Sequence, residues 1–218
     1  GRVFLFFLRG ITQEDFLYIY LVRHGETDWN TGFLFQGQTD IPLNKTGISQ
    51  AKHIASELKD KEIDVIISSD LLRARRTAEE IRKACPGKWP VKTFRGLRER
   101  DYGNFEGKRY DQLAVGGRGF TGEKDKKFFA RINRAFDGIM NQYSGKNIVI
   151  VTHGGVVRQI VSHVLGLKDY KRLRIYNASL SEIYYDTEKK AFFLLLLNSI
   201  SHLPAKERNT IQYHIKGV

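Results

Sequence analysis

Three short apolar runs in this chain stop abruptly on polar or glycine residues, and each is followed by a helical pattern. Tyr18-Ile19-Tyr20-Leu21-Val22 ends on Arg23-His24-Gly25, Ile63–Ile67 ends on Ser68-Ser69-Asp70, and Asn147–Thr152 ends on His153-Gly154-Gly155. Runs of this length, without strict polar alternation, predict strands covered on both faces. Helical faces lie between them: Ile48, Ala51, Ile54, Ala55 and Leu58 after Thr46-Gly47; Leu71, Ala74, Ala78 and Ile81, with Ser69 or Asp70 as cap; and Phe128, Ile132, Ala135, Phe136, Ile139 and Met140. A further helix spans Val156–Leu165. Val91–Phe94 reads as a weak strand, and Leu180–Tyr185 and Ala191–Leu197 as a strand pair joined by a polar turn. Strands alternating with helices predict an α/β fold, a sheet with parallel strands at its centre and helices on both faces. Ligands in such sheets bind beyond the carboxyl ends of the strands, where His24, Ser68, Ser69 and His153 all fall.

Composition narrows the classes. A chain of 218 residues, 41% hydrophobic and 12% aromatic, can bury one domain-sized core. Its longest apolar stretches, Val3–Leu8 and Ala191–Leu197, are far short of a bilayer span, so no membrane partner is expected. The single cysteine, Cys85, leaves no internal disulfide and no cysteine zinc cluster, which makes a reducing, cytoplasmic setting the expectation. Residues 1–17 read as an N-terminal extension or tag scar, 18–203 as the domain, and 204–218 as a basic C-terminal tail. The net charge of +12 is uneven: 18 Lys+Arg against 9 Asp+Glu fall within residues 70–134 alone. There the cations are dispersed among acids rather than set in one stripe with aromatics, which argues against nucleic acid and for anionic substrates.

Gly117-Arg118-Gly119-Phe120-Thr121-Gly122 has the spacing of a dinucleotide fingerprint and nearly that of a phosphate-binding loop. It follows Lys108-Arg109-Tyr110-Asp111-Gln112, which is no strand, and Glu123 stands where a phosphate-binding lysine would. The context fails both motifs, and the stretch reads as a loop.

Arg23-His24-Gly25-Glu26-Thr27 carries more weight, since five specified residues recur by chance about once in ten thousand chains of this length. An imidazole at a strand end can attack phosphorus in line, Gly25 permits close backbone approach, and Arg23 offers a planar fork for phosphate oxygens. Neighbouring cations lower a histidine pKa and would keep His24 neutral and nucleophilic. Ser68–Ala78 puts Arg73 in the first turn of a helix. Leu97-Arg98-Glu99-Arg100-Asp101-Tyr102-Gly103-Asn104-Phe105-Glu106-Gly107 sets a carboxylate among arginines, and Val151-Thr152-His153-Gly154-Gly155 supplies a second histidine.

Together, in this order, these elements resemble the histidine phosphatase superfamily, in the branch that includes cofactor-dependent phosphoglycerate mutases and broad-specificity phosphatases. The resemblance covers Tyr18 to Leu203. It implies a three-layer sandwich with a mostly parallel central sheet, with His24 as the phosphorylated nucleophile and Arg23, Arg73 and His153 as the phosphate pocket. Glu99 would be the proton donor to the leaving group and then the base for water. Asn30, Gln36 and Gly37 match positions that touch substrate phosphate, and Arg75, Arg100, Tyr102 and Gly154 are further carry-overs. A Pro-Gly-Gly-Glu-Ser type motif of related phosphatases is missing, with Glu123 its nearest match.

The reaction expected from this is a metal-independent double displacement on small phosphorylated esters. Arg23, Arg73 and a cationic His153 would neutralise the phosphoryl charge, with neither metal nor cofactor. Related mutases carry a longer insertion between the acid and the second histidine; here Glu99 and His153 are 54 positions apart, which favours a phosphatase. Phosphoglycerate mutase-type transfer and a phosphate- or nucleic-acid-binding protein without catalysis are the alternatives. The oligomeric state is not readable.

Overall fold

The structure, a computed structural model, describes residues 16–87, 89–109, 119–167 and 173–208. In chain order its elements are β1 (Phe16–Arg23), α1 (Asp28–Thr31), α2 (Lys45–Leu58), β2 (Val65–Ser68), α3 (Leu72–Ala84), β3 (Lys92–Thr93), α4 (Asp125–Gln142), β4 (Ile148–Thr152), α5 (Gly154–Leu165), β5 (Leu180–Asp186) and β6 (Ala191–Ser199). One sheet runs β3-β2-β4-β1-β5-β6. The pairs β1–β4, β2–β4 and β2–β3 are parallel, while β5 lies antiparallel to both β1 and β6. The expected mostly parallel sheet with helices on both faces is present.

The two-residue period of a strand explains why the central runs are apolar throughout. Ile19 and Leu21 of β1 pack on one side with Phe128, Ile132, Phe136 and Ile139 of α4 and Val157, Ile160 and Val161 of α5. Tyr20 and Val22 point the other way, onto Ile54 and Leu58 of α2 and Ala74, Ala78 and Ile81 of α3. At roughly 1.5–3 kcal/mol for each large apolar side chain removed from water, these two layers hold the strand ends still.

Several local expectations differ from the structure. Phe16 and Leu17, assigned to the extension, pair with Asp186 and Tyr185 in β1. Helix α3 is capped by neither Ser69 nor Asp70: its N-cap is Leu71, and the Leu72 N–H donates to Oδ1 of Asp40 at 2.7 Å. The stretch from Leu97 to Gly122 holds a 3-10 turn at Gly103–Phe105, preceded by another at Arg95–Leu97. Of the glycine-rich fingerprint, Gly117 and Arg118 lie outside the described residues. Asn104 ties down the remainder, its Nδ2 donating to the Gly119 carbonyl and its N–H to the Thr121 hydroxyl. The rest of the extension and residues 209–218 of the tail also lie outside the description.

Candidate active site

The carboxyl ends of β1, β2 and β4 deliver His24, Ser69 and His153 to one edge of the sheet. The His24 N–H donates to the Thr152 carbonyl of β4 (2.9 Å), and the two imidazoles meet edge to face with ring centres 5.2 Å apart. Nδ1 of His24 lies 2.6 Å from the Gly25 carbonyl. A carbonyl only accepts, so Nδ1 carries the proton and Nε2 keeps its lone pair. Burial, and after it the charges of Arg73 and Arg23, holds the imidazole well below the usual histidine range. His24 is therefore neutral at pH 7, as its setting in the sequence predicts.

Gly25 does serve close backbone approach, but to the protein rather than to phosphate. A Cβ on Gly25 would lie 2.3 Å from the Gly47 carbonyl, and one on Gly47 would lie 2.0 Å from the Glu26 carbonyl. The two glycines let the start of α2 press against the nucleophile loop. Thr27 caps α1 in a reciprocal bond with Asn30, and Asn177 joins both by donating to the His24, Gly25 and Asn30 oxygens. Asn30 thus spends its amide oxygen on shaping the loop.

Arg73 is fully buried, and burial draws its pKa down to about 10, which leaves it cationic at neutral pH. Nη1 donates to the Thr39 carbonyl (2.8 Å) and Nη2 to the Gly37 carbonyl (2.7 Å). Nε has no partner among the described residues, and neither does Nδ1 of buried His153 or Oε1 of buried Gln36. Unsatisfied buried polar atoms cost about 1–3 kcal/mol each; a bound anion would relieve that cost at the Arg73 Nε–H, whereas Gln36 Oε1, an acceptor, calls for a hydroxyl or water. His153 is held through Nε2 by the Ser69 hydroxyl at 2.9 Å. A hydroxyl can donate or accept there, and a phosphate oxygen facing the unpartnered Nδ1 selects the arrangement in which Ser69 donates and Nδ1 carries the proton. The expected cationic His153 is corrected: burial, then Arg73, His24 and Arg23, push its pKa well below the usual range. It offers a hydrogen bond, and the two arginines offer the charge.

Glu99 is held at the start of α5 by Gly155, two residues beyond His153. Its Oε1 accepts the Arg100 N–H (2.9 Å) and its Oε2 the Gly155 N–H (3.0 Å) at the start of α5. A Cβ on Gly155 would lie 2.4 Å from Oε1, so glycine there makes room for the carboxylate. Gly154 similarly faces Arg23, whose Nη1 donates to the Ile175 carbonyl at 2.6 Å. Tyr102 packs against Phe35 with the rings tilted at 46°, and burial followed by the Glu99 charge pushes its phenol upward, so it stays protonated. Arg75 is exposed: two positions beyond Arg73 it is turned about 200° around α3. The Arg100 side chain turns to the Glu123 carbonyl and the Asp125 carboxylate (2.6 Å). Only its main-chain N–H serves Glu99.

Glu106 is the organising residue that motif reading passes over. Its Oε1 accepts the Gln38 and Tyr102 N–H groups (2.9 and 3.1 Å), and its Oε2 accepts the Thr39 N–H (2.9 Å) and hydroxyl. It fixes the loop whose carbonyls clamp Arg73. Gly37 has φ +52°, and a Cβ there would strike the Glu106 carboxylate. Glu106→Ala is expected to cost about 2 kcal/mol, roughly 4–8 °C in Tm for a chain this size, and to raise KM for phosphate esters. Calorimetry and kinetics on that variant check both; an unchanged KM would separate the loop from phosphate binding.

A second expectation concerns acid. His24, His153 and His202 all have folded pKa values below the unfolded value near 6.5, chiefly through burial. Below about pH 6.5 the unfolded chain takes up protons that the folded chain does not, so stability falls as pH drops. Urea melts at pH 7.5 and 5.5 are expected to show a lower midpoint at 5.5, and His202→Gln to reduce that difference. An equal midpoint would contradict it.

Residues 19–198 match the family model described as the histidine phosphatase superfamily (branch 1). Among curated relatives, "Probable phosphoglycerate mutase GpmB" of Escherichia coli is 36% identical over 215 residues, covering 90% of this chain and 99% of the relative. Among solved structures, the alpha-ribazole phosphatase of Shigella flexneri superimposes with a TM-score of 0.74 at 27% identity, covering 84% of this chain and 96% of that one. Phosphoserine phosphatase of Entamoeba histolytica, in complex with phosphoserine, gives 0.75 at 28%, covering 86% and 100%.

Proposed function

The chain belongs to the histidine phosphatase superfamily, branch 1, and within it we propose that it is a metal-independent phosphomonoesterase acting through a phosphohistidine on small phosphate esters. The observation that carries this is the neutral His24, pinned through Nδ1 on the Gly25 carbonyl with Nε2 left as a nucleophile among Arg23, Arg73 and the unpartnered Nδ1 of His153. Nε2 attacks phosphorus, the bond from phosphorus to the ester oxygen breaks, and Glu99 gives its proton to that oxygen. Water then attacks the phosphohistidine and gives a proton to Glu99, the N–P bond breaks, and Nε2 recovers its lone pair. The arginines hold the equatorial oxygens through both steps. Asn30, Gln36 and Gly37 shape the pocket, Gly37 through its carbonyl on Arg73.

Hydrolysis is favoured over transfer by the 54 positions from Glu99 to His153 and by the two phosphatases among the structural neighbours. The name of the curated relatives supports a second reading, mutase-type transfer through the same phosphohistidine. Turnover of p-nitrophenyl phosphate in EDTA tests the first: activity undiminished by chelation is expected, and loss on chelation would contradict it. Phosphorus NMR of the enzyme with 3-phosphoglycerate and a bisphosphate primer separates the two readings, since release of inorganic phosphate marks the phosphatase and appearance of 2-phosphoglycerate the mutase.

A further inference from the structure

Against the segment Arg95–Asp101 lies a cavity of about 620 Å³, lined by none of His24, Arg23, Arg73 or His153. Its wall is built from the segment that carries the proposed acid. The Glu99 carbonyl accepts Gln38 Nε2 and Arg131 Nη2, and Arg131 Nη1 reaches the Gly96 and Arg98 carbonyls. Five cations line the space, Arg95, Arg98, Lys124, Lys127 and Arg131, against two acids, Asp101 and Glu123.

Pairing accounts for some of these charges and not others. Arg131 grips Glu123 in two bonds of 3.0 and 2.7 Å, and Arg98 grips Asp70 in two of 2.8 and 2.7 Å. Asp101 accepts the Gly103 N–H. Arg95 acts on Asp70, whose carboxyl it helps to hold ionised, while Lys124 and Lys127 form no ion pair among the described residues, although they line a concave space. Like charges gathered around a concavity repel one another, and a bound anion removes that repulsion.

We propose that this cavity is a second anion site, taking a phosphate or carboxylate group. The group arrives either as the second anionic group of the substrate or as a separate small anion. The first source rests on the phosphatase reading above; the second does not. Arg98 and Asp101 line the cavity on either side of Glu99 in the chain, and Gln38 and Arg131 of its wall bond the Glu99 carbonyl, so the two sites share this segment.

The test compares wild type with Lys124→Glu/Lys127→Glu, both exposed positions. The control is Lys52→Glu/Lys59→Glu, which makes the same net-charge change at exposed positions on α2 and at its C-cap. Inorganic sulfate is titrated and followed by backbone amide shifts. In wild type, residues 95–101 and 121–131 are expected to saturate as one set, distinct from residues near 24 and 153. The pocket variant weakens that set about tenfold or more while the control leaves it unchanged. The proposal is overturned if only residues near 24 and 153 respond, or if the pocket variant titrates as wild type does. It is equally overturned if the control weakens the set as much. Kinetics then assign the source. A KM for fructose 1,6-bisphosphate raised about tenfold, with that for p-nitrophenyl phosphate unchanged, makes the anion part of the substrate. Both KM values unchanged, with sulfate binding lost, make it a separate ligand. If the wild type turns over no ester, the phosphatase reading fails and the sulfate titration still decides the pocket.

Discussion

His24→Asn is expected to lower turnover of p-nitrophenyl phosphate by at least about 1,000-fold without unfolding the protein. The imidazole does two separable things. Nδ1–H bonds the Gly25 carbonyl and holds the loop, while Nε2 supplies the electron pair. An asparagine amide retains an N–H on the side of the Gly25 carbonyl but has no nucleophilic nitrogen. The substitution therefore removes chemistry while sparing the loop, and Asn177 continues to fasten the His24 and Gly25 carbonyls. Substrate affinity is expected to change little, because the phosphate donors belong to Arg23, Arg73 and His153. Loss of turnover together with a melting shift of many degrees would mean that His24 acts as a packing residue.

The second large effect is at Glu99, and it depends on the leaving group. Glu99→Gln keeps an acceptor for one of the two N–H groups now bound, from Arg100 and Gly155, but can neither give nor take a proton. For an alkyl phosphate, whose alkoxide leaves poorly unless protonated, phosphorylation of His24 is expected to slow by about 10²–10⁴-fold. For p-nitrophenyl phosphate the leaving group departs as a stable anion, and the same step is expected to slow far less. Single-turnover phosphorylation with both esters reads the difference. An equal loss on both would assign Glu99 to positioning rather than proton transfer.

The central layer of this fold is legible because burial on both faces writes itself as continuous apolar runs: Tyr18–Val22 and Asn147–Thr152 differ from the observed strands by only a residue or two at each end. The loops that follow them are legible for a related reason, since a histidine or glycine directly after a buried strand has few structural uses. What the sequence hides is tertiary. Asp40, more than thirty positions upstream, binds the Leu72 N–H at the start of α3, so local residues with cap character go unused. Glu106 acts on main-chain groups of a distant loop, and Ser69 on a histidine 84 positions away. Neither leaves a spacing signal. The charge expected on His153 is lost for the same reason, because burial and the convergence of Arg73 and Arg23 exist only in the folded chain. Arg75 is the opposite case. Helical periodicity alone separates it from Arg73, and the motif resemblance obscured that plain geometry.

The mechanism requires one covalent bond, between phosphorus and Nε2 of His24. Mixing the enzyme with a phosphorus-labelled ester for milliseconds and quenching in base would trap it, because phosphohistidine survives base and is lost in acid. Base-stable, acid-labile label is expected, assigned to His24 by peptide mapping and abolished by His24→Asn. Turnover without any trapped label, or label that maps elsewhere and persists in His24→Asn, would contradict the mechanism.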